Sequence, residues 1–266
     1  MHAKSTVPAP NTVSLPQCDT PWLLGHPVKQ TKRRVTARHV HENGQIFVVE
    51  SGVMAIMTQN AYWLVGPGQV LWLPCGLVHE ARSHGAITGW ILYITEDRSA
   101  GLDQTPFLAD SSRLLRAQAE RLSNHIEKTP WNAATNRLAD SFWDELVSIP
   151  RQSISLPFPE DKRLKRVAET LSTTPADART QQEWADMAGM SLRSFIRHFT
   201  AETGLQFSVW RQRLRLLNAQ ERLARGERVT EVAAAVGYDS LGAFTAIFKK
   251  NTGYTPSSYT QRCRIR

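Results

Sequence analysis

The stretch EWADMAGMSLRSFIRHFTAETG, residues 183–204, returns further along the chain as EVAAAVGYDSLGAFTAIFKKNTG, residues 231–253. The two copies share Ala185 and Ala233, Gly189 and Gly237, Ser191 and Ser240, Phe195 and Phe244, Phe199 and Phe248, and Gly204 and Gly253. The second copy has one extra residue, Asp239, before its serine. An internal repeat of this specificity indicates that one supersecondary unit occurs twice in the chain.

The shared residues are those that a helix-turn-helix motif requires. A small alanine lets two helices approach closely, and a glycine adopts the positive φ of a tight turn. Ser191 and Ser240 then stand where a side chain caps the N-terminus of the second helix. In each copy two phenylalanines four residues apart attach that helix to a core and leave its other face exposed. The repeat therefore predicts two helix-turn-helix motifs rather than a helical bundle with Gly-Ser turns.

The segment between the copies, QFSVWRQRLRLLNAQERLARG (206–226), predicts one connecting helix. Trp210, Leu214 and Leu217 form an apolar stripe, whereas a second face carries the polar residues Arg211, Arg215, Asn218, Arg222 and Arg225. A helix of about 18 residues spans roughly 27 Å, which is close to one ~34 Å turn of DNA. The polar face either contacts DNA phosphates or is simply solvated, and the sequence leaves both readings open.

Residues 162–259 resemble the DNA-binding domain of the AraC/XylS family of transcription regulators. The run that carries the resemblance is LRLLNAQERLARGERVTEVAAAVGYDSLGAFTAIFKKNTGYTPSSY, residues 214–259. The resemblance implies that the second helix of each motif enters one of two successive major grooves of an operator. The residues that it assigns to DNA contact are Ser191, Arg193, Ile196, Arg197, Ser240, Leu241, Gly242, Thr245 and Ala246.

The two predicted recognition helices differ in the chemistry that they offer. Arg193 and Arg197 suit guanine, because an arginine fork meets two acceptors on one base edge. The second helix has short or apolar side chains at positions where the family often has longer polar ones. For that helix, contact with thymine methyl groups and simple docking are the alternatives to reading bases by hydrogen bonds.

Composition and charge agree with a nucleic-acid partner. The chain has 266 residues, of which 41% are hydrophobic and 21% are charged, and its net charge is +8. Residues 160–266 contain 18 lysines and arginines against 11 aspartates and glutamates, a net charge of +7, and residues 1–159 contribute +1. A basic C-terminal part is what a polyanionic partner requires.

The sequence also predicts the compartment. Cys18, Cys75 and Cys263 are far apart and form no Cys-x-x-Cys pair, which disfavours a disulfide framework or a zinc cage. The first twenty residues lack the apolar core of a signal peptide, and no stretch approaches the ~20 apolar residues of a membrane span. We expect a soluble, cytoplasmic protein.

The N-terminal half has the pattern of a β domain followed by two helices. Short strands broken by glycine turns run from about residue 27 to 95 and predict a small sandwich or barrel. Apolar residues three and four apart then predict helices over 107–127 and 132–149. The expected fold is α+β, with a cupin-like β-barrel and two helices before an all-α double helix-turn-helix domain. The expected boundaries are a disordered tail at 1–20, the sensor domain at 21–150, a linker at 151–160 and the DNA-binding domain at 161–259.

Two histidines in HVHENGQIFVVESG, residues 39–52, point to a binding site in the barrel. His39 and His41 would share one face of a strand, and His79 follows in PCGLVHEAR. The spacing of these residues with Gln45, Gly52, Gly68, Pro74 and Gly76 resembles a cupin barrel, of the kind that many AraC-type regulators use to sense small molecules. In cupin enzymes the positions His, His, Glu and His bind a metal. Here Gln45 replaces the carboxylate, and a neutral amide is a weak donor to a dication.

We therefore expect an organic effector, with no cofactor, at His39, His41, Gln45, Phe47, His79 and Trp90. A divalent metal bound by His39, His41 and His79 is the alternative for the site. For the protein, the alternatives are a cupin metalloenzyme fused to a DNA-binding domain, and a barrel that only dimerises. The sequence shows no other catalytic constellation, so we expect a regulator and not an enzyme.

Partners beyond DNA and the effector follow from the two helices at 107–149 and from the family. Leu108, Leu115 and Leu122 recur at a spacing of seven, and a narrow apolar stripe of this kind needs a partner surface. It predicts a homodimer joined through these helices. The alternative is that both helices fold back on their own barrel. The resemblance also admits RNA polymerase as a partner.

Overall fold

The computed structural model describes residues 21–125, 131–152 and 155–264 of the chain. Two compact units emerge from the contacts: one comprises Met1–Thr58, Trp63–Ile154 and Cys263–Arg266, and the other Gln59–Tyr62 and Ser155–Arg262. The predicted disordered tail at 1–20 lies outside the described residues. None of the described helices combines the length and the apolar character that crossing a bilayer requires.

The first unit is built on two antiparallel sheets. Its strands are β1 (Leu23–Gln30), β2 (Val35–His39), β3 (Gly44–Ser51), β4 (Met54–Thr58), β5 (Ala61–Val65), β6 (Gln69–Leu73), β7 (His79–Ser83), β8 (Ile87–Ile94), β9 (Phe107–Asp110) and β10 (Arg151–Gln152). One sheet has the order β1-β8-β3-β6-β9-β10, and the other contains β5-β4-β7-β2. The sheet-rich domain predicted from the short strands is confirmed. The sequence did not predict β1, which pairs with β8 along its whole length.

Strand β3 is buried on both faces. Successive residues of a strand point to opposite sides, so Gln45 and Phe47 face one way and Ile46 and Val48 the other. All four are at most 3% exposed. Ile46 and Val48 belong to a core cluster that also contains Leu115 and other residues of the helices. Burial on both sides explains why this strand is a continuous apolar run.

Three helices complete the first unit: α1 (Glu96–Ser99), α2 (Arg113–His125) and α3 (Ala133–Ser148). The prediction of one helix over 107–127 is wrong at its start, because residues 107–110 form β9 and pair with β6. Ser112 then accepts a hydrogen bond from the backbone N–H of Leu115 and caps the new helix. The leucine repeat is therefore broken, since Leu108 lies in a strand. The last predicted residues, 126–127, lie outside the described ones.

The apolar stripe of α2 is covered within its own unit. Leu115, Ala119 and Leu122 are fully buried and pack in the same cluster as Ile46 and Leu92. This is the alternative in which the helix folds back on its own barrel, so the stripe does not need a second subunit. Leu114, in contrast, is 53% exposed.

The second unit is helical. After the short strand β11 (Leu156–Pro157) come α4 (Lys162–Thr173), α5 (Gln181–Met187), α6 (Leu192–Thr203), α7 (Phe207–Ala224), α8 (Val229–Ala235), α9 (Leu241–Thr252) and α10 (Pro256–Cys263). The pairs α5–α6 and α8–α9 are the two predicted motifs, and α7 is the predicted connecting helix. In the two turns Gly189 and Gly237 have φ angles of 64° and 80°, as the repeat requires.

Aromatic rings hold each recognition helix in place. Phe195 and Phe199 of α6 are fully buried, and both rings lie about 5 Å from the ring of Phe207. Phe199 also meets Trp210 edge to face at 5.4 Å. In the second motif Phe244 and Phe248 are fully buried in the same way. The buried phenylalanine pairs leave the opposite face of each helix exposed.

Candidate DNA interface and effector site

The exposed face of α6 carries all the residues predicted for the first motif. Ser191 caps the helix by accepting a hydrogen bond from the N–H of Ser194, which fixes where the helix begins. Arg193 is exposed, and Ile196 and Arg197 are exposed one helical turn further along. Arg197 contacts His198 at 3.2 Å, and Arg193 makes no ion pair with any described residue. Two guanidinium groups thus project from one surface of the helix.

The exposed face of α9 is small and largely apolar. Ser240 caps this helix through the N–H of Ala243. Leu241 is 45% exposed, Gly242 and Ala246 are exposed, and Thr245 is half-buried. A surface of this kind can contact a thymine methyl group but offers few hydrogen bonds to a base edge. The roles of both helices in reading DNA remain predictions.

The polar face of α7 is neither free nor simply solvated. Arg211 and Arg215 donate to backbone carbonyls of neighbouring segments, and Arg222 forms a salt bridge with Glu227 at 2.8 Å. Asn218 donates to the carbonyl of Leu214, and Arg225 to that of Glu221. The sequence spacing could not reveal these contacts, because most of their acceptors lie outside the helix.

The three histidines meet between the two sheets. His39 of β2 lies directly opposite His79 of β7, and His41 follows β2 by two residues. The ring centroids are 4.7 Å apart for His39 and His41, 4.4 Å for His39 and His79, and 5.6 Å for His41 and His79. One ring nitrogen from each histidine lies within 4.8 Å of the other two. The sequence prediction that these side chains share one space agrees with this arrangement.

Backbone carbonyls fix the orientation of two of the rings. Nδ1 of His39 is 2.7 Å from the carbonyl oxygen of Ala37, and Nδ1 of His79 is 2.9 Å from that of Leu77. A carbonyl only accepts, so Nδ1 carries the hydrogen in both rings and Nε2 is left for the common centre. Histidines that bind metals are commonly held by such a bond on the far ring nitrogen.

The other sheet adds Gln45 and Tyr93 to this group. The two residues are opposite each other on β3 and β8, so both point to the same side, and Nε2 of Gln45 donates to the Tyr93 hydroxyl at 3.2 Å. The Tyr93 ring lies 5.3 Å from that of His41. The sequence did not assign Tyr93 to the site. Its position opposite Gln45 depends on a strand register that no local signal gives.

The centre of the group holds three buried polar atoms that have no hydrogen-bond partner in the described part of the chain. Nε2 of His41, Nε2 of His79 and Oε1 of Gln45 are buried and have no hydrogen-bond partner within the described residues. Burial, with smaller effects from the nearby His39 and His41, lowers the pKa of His79 to about 4, although the Leu77 bond opposes the shift. Burial and then His39 also lower the pKa of His41. At neutral pH the His79 imidazole is therefore uncharged, with a lone pair on Nε2.

These residues fit a divalent transition metal as well as an organic ligand that carries hydrogen-bond donors. Nitrogens bound to a tetrahedral zinc ion are roughly 3.3 Å apart, so rings whose nitrogens lie within 4.8 Å need only a small rotation. Gln45 Oε1 is a weak fourth ligand, because it brings no negative charge. The histidines would hold the ion, which would supply a positive centre to the site.

The two aromatic residues predicted for the effector site lie on different sides of their sheet. Phe47 points to the same side as Gln45, two residues along β3. Trp90 is opposite Val48 on β8, so it shares the other side, and it packs against the core cluster that contains α2. The structure thus places the Trp90 ring in the packing between sheet and helices, on the other side of the sheet from Gln45, and its role in effector binding stays a prediction.

Comparisons with known proteins agree with both units. Family profiles match at residues 28–128, for the AraC-like ligand binding domain, and at residues 184–262, for a helix-turn-helix domain. NimR, an HTH-type transcriptional regulator of Escherichia coli (strain K12), is 32% identical over 224 residues, which cover 84% of this chain and 82% of that protein. RclR, an RCS-specific HTH-type transcriptional activator of the same strain, is 25% identical over 242 residues, covering 83% and 79%.

Among solved structures, ToxT from Vibrio cholerae O395 is similar over 91% of this chain and 98% of that one, with a TM-score of 0.40 and 11% identity. The sequence relatives and the two profiles are the stronger finding, since they cover the sensor and the DNA-binding parts in the predicted order. The chain belongs to the AraC family of DNA-binding transcriptional regulators, with an AraC-like ligand binding domain ahead of its helix-turn-helix domain.

Proposed function

We propose that this regulator binds its effector between the two sheets, at His39, His41, Gln45, His79 and Tyr93, and that the effector controls operator binding. The observation that carries the proposal is the group of three buried polar atoms without a hydrogen-bond partner among the described residues, His41 Nε2, His79 Nε2 and Gln45 Oε1. Leaving such atoms unpaired costs about 1–3 kcal/mol each, so a ligand that satisfies them gains that energy on binding. The relatives are transcriptional regulators, which supports a role in transcription for the site.

The acceptors define the chemistry of an organic effector. His79 Nε2 and Gln45 Oε1 accept hydrogen bonds and call for a ligand with donors, such as an amine, an amidine or a hydroxyl group, and His41 Nε2 accepts or donates according to its tautomer. Burial raises the pKa of Tyr93, so its hydroxyl stays protonated and can donate to an acceptor on the same ligand. The buried ring of Phe47 adds an apolar surface beside these groups.

A metal-responsive regulator is the second candidate, favoured by the carbonyl-bound Nδ1 atoms of His39 and His79. In that case a dication satisfies the lone pairs directly, and the same five residues surround it. Both candidates use one site, and they differ in whether chelation removes the response.

We expect DNA binding and the effector response to survive exhaustive chelation, with His79→Ala abolishing the response to the effector. The measurement is operator affinity with and without effector, before and after chelation, on protein purified without an affinity metal, together with elemental analysis. Lys29→Ala serves as the control, because Lys29 is exposed on strand β1. If chelation removes the response and one added metal restores it, the ligand is a metal and the organic proposal fails.

The protein acts on DNA in the cytoplasm and catalyses no reaction of its own. Gln45 stands where cupin enzymes have a carboxylate, which weakens the case for a catalytic metal, and the relatives named above are regulators. We also propose contact with RNA polymerase, which the activator among the relatives supports. A turnover assay on metal-loaded protein tests the absence of activity, and substrate consumption above that of His79→Ala would contradict it.

We also propose a homodimer joined through α2 and α3. The buried stripe no longer supports it, but the exposed side chains of Leu114 on α2 and Val147 on α3 do. We expect the full chain to sediment as a dimer at micromolar concentration and Leu114→Asp to shift it toward monomer. Val209→Asp, which places a charge at an exposed apolar position in the other unit, should leave the dimer intact. A monomeric wild type would contradict the proposal.

A further inference from the structure

A cavity of about 270 Å³ lies in the second unit, beside the first turns of α7. Arg211, Arg215 and Tyr238 line it, together with Gln181 and Ser208. The volume holds a small polar group with a few waters, since each water occupies about 30 Å³. The cavity is lined by residues of both helix-turn-helix motifs: Gln181 is the first residue of α5, and Tyr238 lies in the turn between α8 and α9.

The Arg211 guanidinium is held in place without being neutralised. It donates to the carbonyl oxygens of Asp177 and Arg179, in the loop before α5. Its Nε is buried and has no acceptor within the described residues. The Asp177 carboxylate forms its salt bridge with Arg179 at 2.6 Å and none with Arg211, although it lies close enough to favour the charged form of Arg211.

Arg215 is one turn further along α7 and is held in the same manner. Its Nε donates to the carbonyl of Pro175 at 3.0 Å and its Nη1 to the carbonyl of Gly237 at 3.1 Å. Across the described part of this unit, neither Arg211 nor Arg215 forms a salt bridge. Burial and then the charge of Arg215 lower the pKa of Arg211, while the Asp177 carboxylate opposes the shift.

Each guanidinium has five N–H donors, and the carbonyls occupy two of them on each arginine. Three donors on each group therefore remain for a ligand. The Ser208 hydroxyl and the side-chain amide of Gln181 supply neutral donors around the same space. Two fixed cations with free donors and no carboxylate partner form a receptor for an anion with several oxygens.

We propose that this cavity binds a phosphate oxyanion through Arg211 and Arg215. The phosphate group comes either from the DNA backbone or from a free phosphate ester. The fold favours the backbone, because the first helix of a helix-turn-helix motif crosses the phosphates and Gln181 opens that helix here. A protein that reads two successive major grooves also spans the backbone between them. A phosphate held at this point fixes the register of both motifs on the duplex.

The first test measures the salt dependence of binding to a duplex of arbitrary sequence, which needs no knowledge of the operator. Removing one phosphate contact reduces the slope of log affinity against log salt by about 0.9. We expect this reduction for Arg211→Gln and not for Arg211→Lys, which keeps the charge. The matched control is Arg213→Gln, on the same helix but outside the cavity lining, and it should keep the wild-type slope.

The second test identifies the source of the phosphate. Inorganic phosphate and chloride are compared at equal ionic strength for their effect on the Tm of wild type, Arg211→Gln and Arg213→Gln. Stabilisation by phosphate that is lost only in Arg211→Gln, with no change in salt slope, assigns the site to a free phosphate ester. A reduced slope assigns it to DNA. If Arg211→Gln matches Arg213→Gln in both measurements, Arg211 and Arg215 only stabilise the neighbouring loops through their hydrogen bonds, and the proposal is wrong.

Discussion

Replacing Phe199 with alanine is expected to reduce the free energy of unfolding of the DNA-binding unit by about 3–5 kcal/mol. The ring is fully buried and meets Phe195, Phe207 and Trp210 at centroid distances of 5.7, 5.1 and 5.4 Å. Its loss leaves a cavity at the point where α6 rests on α7. Rigid aromatic neighbours cannot collapse into the space, so the cost lies in the upper part of the range for core substitutions.

The measurement is urea unfolding followed by fluorescence, since Trp210 reports on the same cluster. Val209→Ala is the control: Val209 lies on α7 but is exposed, and its truncation should cost less than about 0.5 kcal/mol. We also expect Phe199→Ala to lose DNA binding, because α6 is no longer held against its core. A variant of wild-type stability would show that the aromatic cluster does not support the recognition helix.

Arg193→Ala and Arg197→Ala are each expected to weaken operator binding by about 1–3 kcal/mol, which is up to about a hundredfold in affinity. Both side chains are exposed on the face of α6 opposite its buried phenylalanines. A guanidinium that binds two acceptors of a guanine discriminates against other bases, so the loss should be specific to the cognate sequence.

The measurement compares the affinities for cognate and scrambled duplexes at one salt concentration. Thr245→Ala in the second motif provides a matched comparison, and we expect a smaller effect because a half-buried threonine reaches less of a base edge. Equal losses on both duplexes would show that Arg193 and Arg197 contact phosphates and do not read bases.

Local features of the sequence were enough to predict the DNA-binding unit. The glycine of each turn, the serine cap and the phenylalanines four residues apart act within one motif, and each has the predicted position. Strand β9 could not be predicted in this way. Its residues Phe107–Asp110 fit a helical spacing with Leu115, and only pairing with the distant β6 makes them a strand.

At the effector site, too, local spacing predicted one part of the arrangement, and long-range strand pairing decided the other. The spacing of His39 and His41 predicted that their rings share one space, because neighbours two apart on a strand face the same side. The partnership of Gln45 with Tyr93 depends on the register of β3 against β8, which the sequence does not encode locally. The side of the sheet on which Trp90 lies could not be predicted for the same reason, because one residue of register decides which side a ring occupies.

Strand β3 separates the Gln45 side chain from the core beneath α2. Gln45 and Ile46 are adjacent in sequence, and their side chains lie on opposite sides of the sheet, the first beside the histidines and the second in the core with Leu115. Protein interiors are packed too densely to absorb a displacement. We therefore expect a ligand that displaces Gln45 to shift Ile46 and, through the core that they share, the position of α2.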